Sequence, residues 1–309
     1  MLIIVTKRID LYKEVAIIAP TASGKTALSI KLAQKTNSVI LSLDSLSVYK
    51  EIDIASAKPT LEERDSIIHF GIDRVYPDEK FDVVEFIDEY NKAKKYAQEE
   101  GKNLIIVGGT SFYLKSLCEG LSKVPTISDK TKNIVKNELS DITKSYEYLL
   151  SIDKKYMSKI DKNDKYRIEK ALEIYYETGL SPSEFFQQNK PEPIIKNLQI
   201  FQIDTEVELL RRRIAQRTKS MIENGIIDEV IYLEKKYTRA PNCMKSIGII
   251  EVLEYLDGKI DKTKLEELIS THTAQLAKRQ RTFNKSQFTN ITKENLKNLE
   301  NLILKAFYL

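Results

Sequence analysis

Cysteine is almost absent from this chain. Cys118 and Cys243 stand alone among 309 residues, without the paired spacing of a zinc site or a redox motif. Two isolated thiols fit a reducing cytosol better than a disulfide-stapled secreted scaffold. Histidine is as scarce: His69 and His272 have no partner spacing, so both are expected to be satisfied structural residues without a functional role. Long apolar runs are also missing. The opening Met-Leu-Ile-Ile-Val-Thr-Lys-Arg is too short in its apolar part for a signal peptide, and nothing approaches the roughly 20 apolar residues of a membrane span. Nor is there a large excess of one charge. Lys and Arg number 49 against 45 Asp and Glu, a net charge of +4, which permits nucleic-acid binding without arguing for it. No internal repeat or low-complexity tract occurs. With 42% hydrophobic and 30% charged residues, the chain reads as a soluble, cytoplasmic globular protein, by default a monomer, with no membrane partner.

What is present begins at residues 15–26, Val-Ala-Ile-Ile-Ala-Pro-Thr-Ala-Ser-Gly-Lys-Thr. A short apolar strand runs into a turn whose Ser23 and Gly24 let backbone amides close around an anion. Lys25 adds a point charge, and the Thr26 hydroxyl is placed to ligate Mg²⁺ as a helix begins. The strict phosphate-loop pattern opens with Gly where this chain has Ala19, a tolerable change if that residue keeps a negative φ. The motif predicts a diphosphate or triphosphate ligand.

Apolar, β-branched runs at 15–19, 38–43 and 103–107 are separated by helical patterns at 26–36 and 82–100. This alternation predicts an α/β fold, a parallel sheet covered by helices on both faces. Beyond residue 121 the texture changes. Residues 128–190 lack strand-like runs and lie between Pro125 and Pro191, which predicts a helical insertion. Residues 198–203 return as a strand, a long helix is expected over about 205–237, and further helices to the C-terminus. The expected organisation is a core of 1–121 and 197–309 interrupted by a helical domain of 122–196.

A phosphate loop alone leaves kinase, NTPase and transferase open. The second strand ends in Asp44-Ser45, and strand carboxyl ends face the ligand crevice of an open α/β sheet, so Asp44 is a candidate proton acceptor or metal holder. It also suits a simple cap on the following turn. The third strand lacks the metal-holding acid that an ATPase carries there and runs instead into Gly108-Gly109-Thr110, a close-approach turn with a hydroxyl at its rim. Asp53-Ile-Ala-Ser-Ala-Lys58-Pro59 is a loop that suits the crevice lining. Arg213 and Arg217, four apart, share a helix face suited to diphosphate oxygens or to solvent. The basic stretch 277–285 and Lys165-Tyr166-Arg167 suit an RNA surface, or plain helix surface.

In this order the pieces resemble the tRNA dimethylallyltransferase (tRNA isopentenyltransferase) family over nearly the whole chain. The matching residues are 20–26, Asp44-Ser45 with Val48-Tyr49, Asp53-Ile54 with Ala57-Lys58-Pro59, and Gly108-Gly109-Thr110 with Tyr113. Arg213-Ile214 with Arg217, Ile247-Gly248 and Ala277-Lys278-Arg279-Gln280 complete them. The resemblance implies a P-loop NTPase-like core, and transfer of a dimethylallyl group from dimethylallyl diphosphate to N6 of adenosine 37 in the tRNA anticodon loop. It implies that Asp44 is the general base and that Thr110 lies beside the amine. It implies that Pro20, Thr21, Ala22, Ser23, Gly24, Lys25, Thr26, Arg213 and Arg217 hold the diphosphate, with Mg²⁺ assisting at Thr26. It further implies a tRNA surface of Asp44, Ser45, Leu46, Ser47, Lys132, Tyr166, Arg167, Lys170, Lys245, Ile247, Gly248, Lys278, Arg279, Gln280, Phe283 and Lys285. The chain departs from the family pattern at Ala19, Ala55-Ser56, Ser47, Lys245, Ile249 and 281–285. A small-molecule P-loop kinase is the rival enzyme, and an RNA-binding module with a vestigial phosphate loop the rival without activity.

Overall fold

The computed structural model describes residues 12–308. The elements run β1 (Glu14–Ile18), α1 (Lys25–Lys35), β2 (Ser38–Leu43), β3 (His69–Phe70), α2 (Val83–Glu99), β4 (Asn103–Gly108) and α3 (Ser111–Glu119). Then come α4 (Asp129–Glu138), α5 (Ile142–Ile152), α6 (Lys154–Met157), α7 (Lys165–Thr178) and α8 (Pro182–Gln188). The chain continues with β5 (Gln199–Ile203), α9 (Val207–Glu223), α10 (Ile226–Tyr237), α11 (Ile249–Leu256), α12 (Lys262–Gln287), β6 (Ile291–Glu294) and α13 (Leu296–Tyr308). They form two compact units, one of residues 1–116 with 196–309, the other of 117–195.

The first unit is built on a six-stranded parallel sheet in the order β3-β2-β4-β1-β5-β6. Parallel strands buried on both faces read as continuous apolar runs, and β1, β2 and β4 do. Leu28, Leu32 and Ala33 of α1 pack on the sheet together with Leu299, Ile303 and Phe307 of α13. A second core joins Ile52 to Ile226, Val230, Leu233, Ile249, Val252, Leu265 and Ile269. Truncating a fully buried residue such as Leu32 to Ala would cost about 2–5 kcal/mol through lost transfer energy and an unfilled cavity.

Two expectations about elements fail. The helix expected over 205–237 is two helices, because Gly225 takes φ +95° between α9 and α10. The C-terminal stretch, where further helices were expected, holds α11, α12 and α13 but also contains β6. Among the described residues that strand pairs with β5 alone, at the sheet edge, and its Ile-Thr-Lys-Glu sequence keeps the polar character of an edge strand.

The second unit is a helical bundle around Val135, Leu149, Met157, Ile168, Ala171 and Leu172. Its helices are short, and local caps define their starts. The side chains of Ser128, Asp141, Asp153, Asp164 and Ser181 each accept from a backbone N–H in the first turn of their helix. Gly179 at φ +73° ends α7. The unit's ends are tied where Ile194 and Ile195 N–H groups donate to the Leu117 carbonyl.

Candidate active site

At the carboxyl ends of β1, β2 and β4 lies a cavity of about 380 Å³. Its lining includes Thr21, Lys25, Thr26, Asp44, Thr110 and Arg217. The phosphate loop joins β1 to α1, and its left-handed residues are Ala22 (φ +61°) and Gly24 (φ +91°). Ala19 is not among the positive-φ residues, so the first glycine of the strict pattern is dispensable here. Ser23 is buried, and its hydroxyl has no hydrogen-bond partner among the described residues. Pro20, Ala22, Ser23 and Gly24 shape the loop from outside the cavity lining, whereas Thr21, Lys25 and Thr26 reach it.

Lys25 is half-buried along its length, and desolvation pulls its ammonium down to about 8. Arg217 pushes in the same direction, and Asp44 opposes both. The Arg217 guanidinium is likewise shifted down by burial and supported by Asp44, and its Nη1 donates to Thr21 Oγ1 at 3.1 Å. Two cations crowded beside one carboxylate are short of negative charge, the electrostatic condition of an anion site.

Arg213 reaches the phosphate loop from a neighbouring pocket, which it lines with Gly24, Lys25, Thr26 and Arg217. It shares a helix face with Arg217, but its Nη1 donates to the Ser23 carbonyl at 3.2 Å, and the residue is exposed and outside the cavity lining. One arginine of the pair faces the cavity, while the other holds the loop backbone.

Asp44 caps the following turn and also lines the cavity. Its Oδ1 caps the turn, accepting from the N–H groups of Leu46 (2.8 Å) and Ser47 (3.0 Å). Oδ2 makes no hydrogen bond among the described residues, and Asp44 lines the cavity. The Gly-Gly-Thr turn sits against the end of β2. The N–H groups of Gly109 and Thr110 donate to the Leu43 carbonyl, and Thr110 Oγ1 accepts from Ser45 N–H at 3.3 Å. A Cβ on Gly108 would lie 2.3 Å from the Leu43 carbonyl oxygen, so a side chain is excluded there.

Of the residues assigned to RNA by resemblance, Ser45, Leu46, Ser47, Lys245, Ile247 and Gln280 line the cavity. Gly248, at φ +94°, starts α11 beside them. Lys278, Arg279 and Lys285 are exposed on α12, and Phe283 packs edge-on with Phe288. In the helical unit Tyr166 is 69% exposed. There Lys132 pairs with Asp129 at 2.9 Å, Arg167 with Asp164 at 2.9 Å, and Lys170 with Glu173 at 2.7 Å. Such surface pairs contribute about 0–1 kcal/mol each.

The loop 53–59 lines the cavity, as its sequence suggested, through Ala55, Ser56, Ala57, Lys58 and Pro59. Sequence reasoning missed the supports around it. The loop's buried Lys58 donates to the Tyr49 carbonyl and pairs with Asp53 and Asp73. Glu229 of α10 accepts from three consecutive N–H groups of that loop, at Asp53, Ile54 and Ala55, over 2.7–2.9 Å. Glu251, 1% exposed at its side chain, accepts from Gly248 N–H at 2.6 Å and pairs with His272. His69 bonds the Ile67 carbonyl and borders the cavity, where burial lowers its pKa.

Comparison with known proteins places the chain in a family. The IPP transferase family profile matches residues 47–287. The tRNA dimethylallyltransferase of Aliarcobacter butzleri is 60% identical over 295 residues, covering 96% of this chain and 99% of that one. The same enzyme from Sulfurovum is 56% identical over 295 residues, covering 95% and 98%. Among solved structures, the tRNA isopentenylpyrophosphate transferase of Bacillus halodurans aligns with a TM-score of 0.70 at 29% identity, covering 96% of this chain and 97% of that one. A eukaryotic dimethylallyltransferase described as acting on tRNA aligns at 0.79 and 29% identity, covering 92% and 74%. With a phosphate loop, an open carboxylate and two crowded cations in one cavity, and with relatives this close, the chain belongs to the IPP transferase family.

Proposed function

We propose that the enzyme transfers the dimethylallyl group of dimethylallyl diphosphate to N6 of adenosine 37 in the anticodon loop of tRNA. The observation that carries this reading is the meeting of Asp44 with Lys25 and Arg217 in one cavity. As the allylic C–O bond breaks, negative charge grows on the leaving diphosphate. Lys25, Arg217 and the loop amides supply fixed positive charge there. Adenine N6 is a weak nucleophile because its lone pair is delocalised into the ring. Asp44 Oδ2 accepts the proton that N6 loses as the new C–N bond forms. Thr110, hydrogen-bonded to Ser45 beside Asp44, borders the amine.

Among the described residues no cluster of three His, Cys, Asp or Glu side chains could hold a metal unaided. Mg²⁺ would be held by the Thr26 hydroxyl, the side chain that reaches the cavity from the start of α1, together with oxygens of the bound diphosphate and water. When bound, it adds positive charge to the departing diphosphate.

Reaching N6 requires drawing the base from its stack, at a cost of about a few kcal/mol, less in a single-stranded loop. Lys278, Arg279 and Lys285 on α12, and Lys132, Tyr166, Arg167 and Lys170 on the helical unit, supply phosphate and stacking contacts to the RNA. No helix among the described residues is long and apolar enough to cross a membrane. A monomer working in the cytoplasm on soluble tRNA is the setting this reading implies. Mass spectrometry of tRNA incubated with enzyme, prenyl diphosphate and Mg²⁺ tests it. The expected product is heavier by one dimethylallyl group at adenosine 37, and RNA of unchanged mass refutes the reading.

A further inference from the structure

Gln280 stands out because both ends of its amide are spent on the protein. Its Oε1 accepts from Thr21 N–H at 3.0 Å, and its Nε2 donates to the Gly109 carbonyl at 3.1 Å. The two partners fix which end is which, since a backbone N–H needs the oxygen and a carbonyl needs the NH₂. The fit is tight: a Cβ on Gly109 would lie 2.4 Å from Nε2. The helix that carries the residue is itself held, because Ala277 packs with Leu210 and Ile214 of α9 and with Ala22 of the phosphate loop.

We propose that Gln280 is a positioning residue that staples the phosphate loop to the Gly-Gly-Thr turn, so that the grip on the prenyl diphosphate depends on α12. The statement rests on the reading under Proposed function. A chain of hydrogen bonds runs through it. Arg217 donates to Thr21 Oγ1, Thr21 N–H to Gln280, and Gln280 to the carbonyl of Gly109. Gly109 is followed by Thr110, whose hydroxyl accepts from Ser45, the neighbour of Asp44. The staple thereby sets the separation of the cationic end from the proton-accepting end. The same helix exposes Lys278, Arg279 and Lys285, so RNA that settles on α12 and a diphosphate held in the loop share one mechanical element. An RNA contact through the Gln280 amide would have to compete with both protein bonds.

The test compares wild type with Gln280→Met, which keeps the side-chain length and removes both bonds. Inorganic diphosphate is titrated by calorimetry and an anticodon stem-loop by fluorescence anisotropy, with KM for both substrates measured alongside kcat. The expected result is diphosphate affinity weakened about tenfold, a matching rise in KM for the prenyl donor, and RNA affinity within about twofold of wild type. Loss of RNA affinity with unchanged diphosphate affinity makes Gln280 an RNA contact and overturns the proposal. Wild-type protein that binds neither probe overturns the donor-and-RNA reading itself, and this role with it. Should the variant fail to fold, hydrogen exchange at the Thr21 amide of wild type decides. Slow exchange supports the staple, and exchange at the free-peptide rate overturns it.

Discussion

Lys25 offers a quantitative test of the anion site. In the free enzyme its ammonium is lowered from 10.5 to about 8, first by desolvation and then by Arg217. That shift corresponds to about 3 kcal/mol of lost preference for the charged form. A diphosphate bound against Lys25 returns the missing negative charge and lifts the pKa again, so binding draws in a proton wherever the free lysine is partly neutral. At pH 8 the expected uptake is about half a proton. Between pH 7 and pH 9 the affinity for diphosphate should fall about tenfold, because the fraction of free enzyme already carrying the charge falls by that factor. The stability of the free enzyme moves the other way. Between pH 8 and 10.5 the unfolded chain binds more protons at this residue than the folded one, so the Lys25 contribution rises with pH. Calorimetry in two buffers of different ionisation enthalpy measures the uptake directly. The Lys25→Arg variant separates it from ionisation of the ligand, since guanidinium stays charged throughout. Equal proton uptake by wild type and Lys25→Arg at pH 8 would refute the reasoning.

Three further outcomes follow from the geometry. Asp44→Asn keeps a turn-capping oxygen but cannot accept the N6 proton, so kcat should fall about 10²- to 10⁴-fold with tRNA affinity retained; near-normal turnover in a single-turnover assay removes Asp44 from the base role. Gly108→Ala drives a Cβ into the Leu43 carbonyl between β4 and β2 and should cost about 3 kcal/mol of stability, and an unchanged denaturant midpoint contradicts that clash. Glu229→Ala strips the shared acceptor from the N–H groups of Asp53, Ile54 and Ala55. Amide exchange at those positions should quicken and stability drop by about 2 kcal/mol, whereas unaltered protection shows that Glu229 does not hold the loop.

How much was legible in the sequence varies with the range of the interaction. The strands at 15–19, 38–43 and 103–107 and the phosphate turn announced themselves because local apolar runs and a Gly-Lys-Thr step carry their own backbone preferences. The end of the α9 pattern at Asn224-Gly225 was also printed locally, though the continuous helical periodicity hid it. β6 was not legible, since a four-residue polar edge strand differs little from loop until β5 pairs with it. The arginine pair shows the limit within one helix. Periodicity puts Arg213 and Arg217 on the same face, yet only packing sends one to the Ser23 carbonyl and the other into the cavity.

The sequence alone determined the parallel α/β core, the helical insertion, the anion-binding turn and the carboxylate at the end of the second strand. Each depends on interactions among residues a few positions apart. Tertiary structure decided which charges share the cavity, that Lys25 is pulled down to about 8, and that Gln280 and Glu229 brace loops lying 259 and 174–176 positions away. Desolvation and long-range hydrogen bonds exist only once distant segments have packed, so they leave no local mark to read.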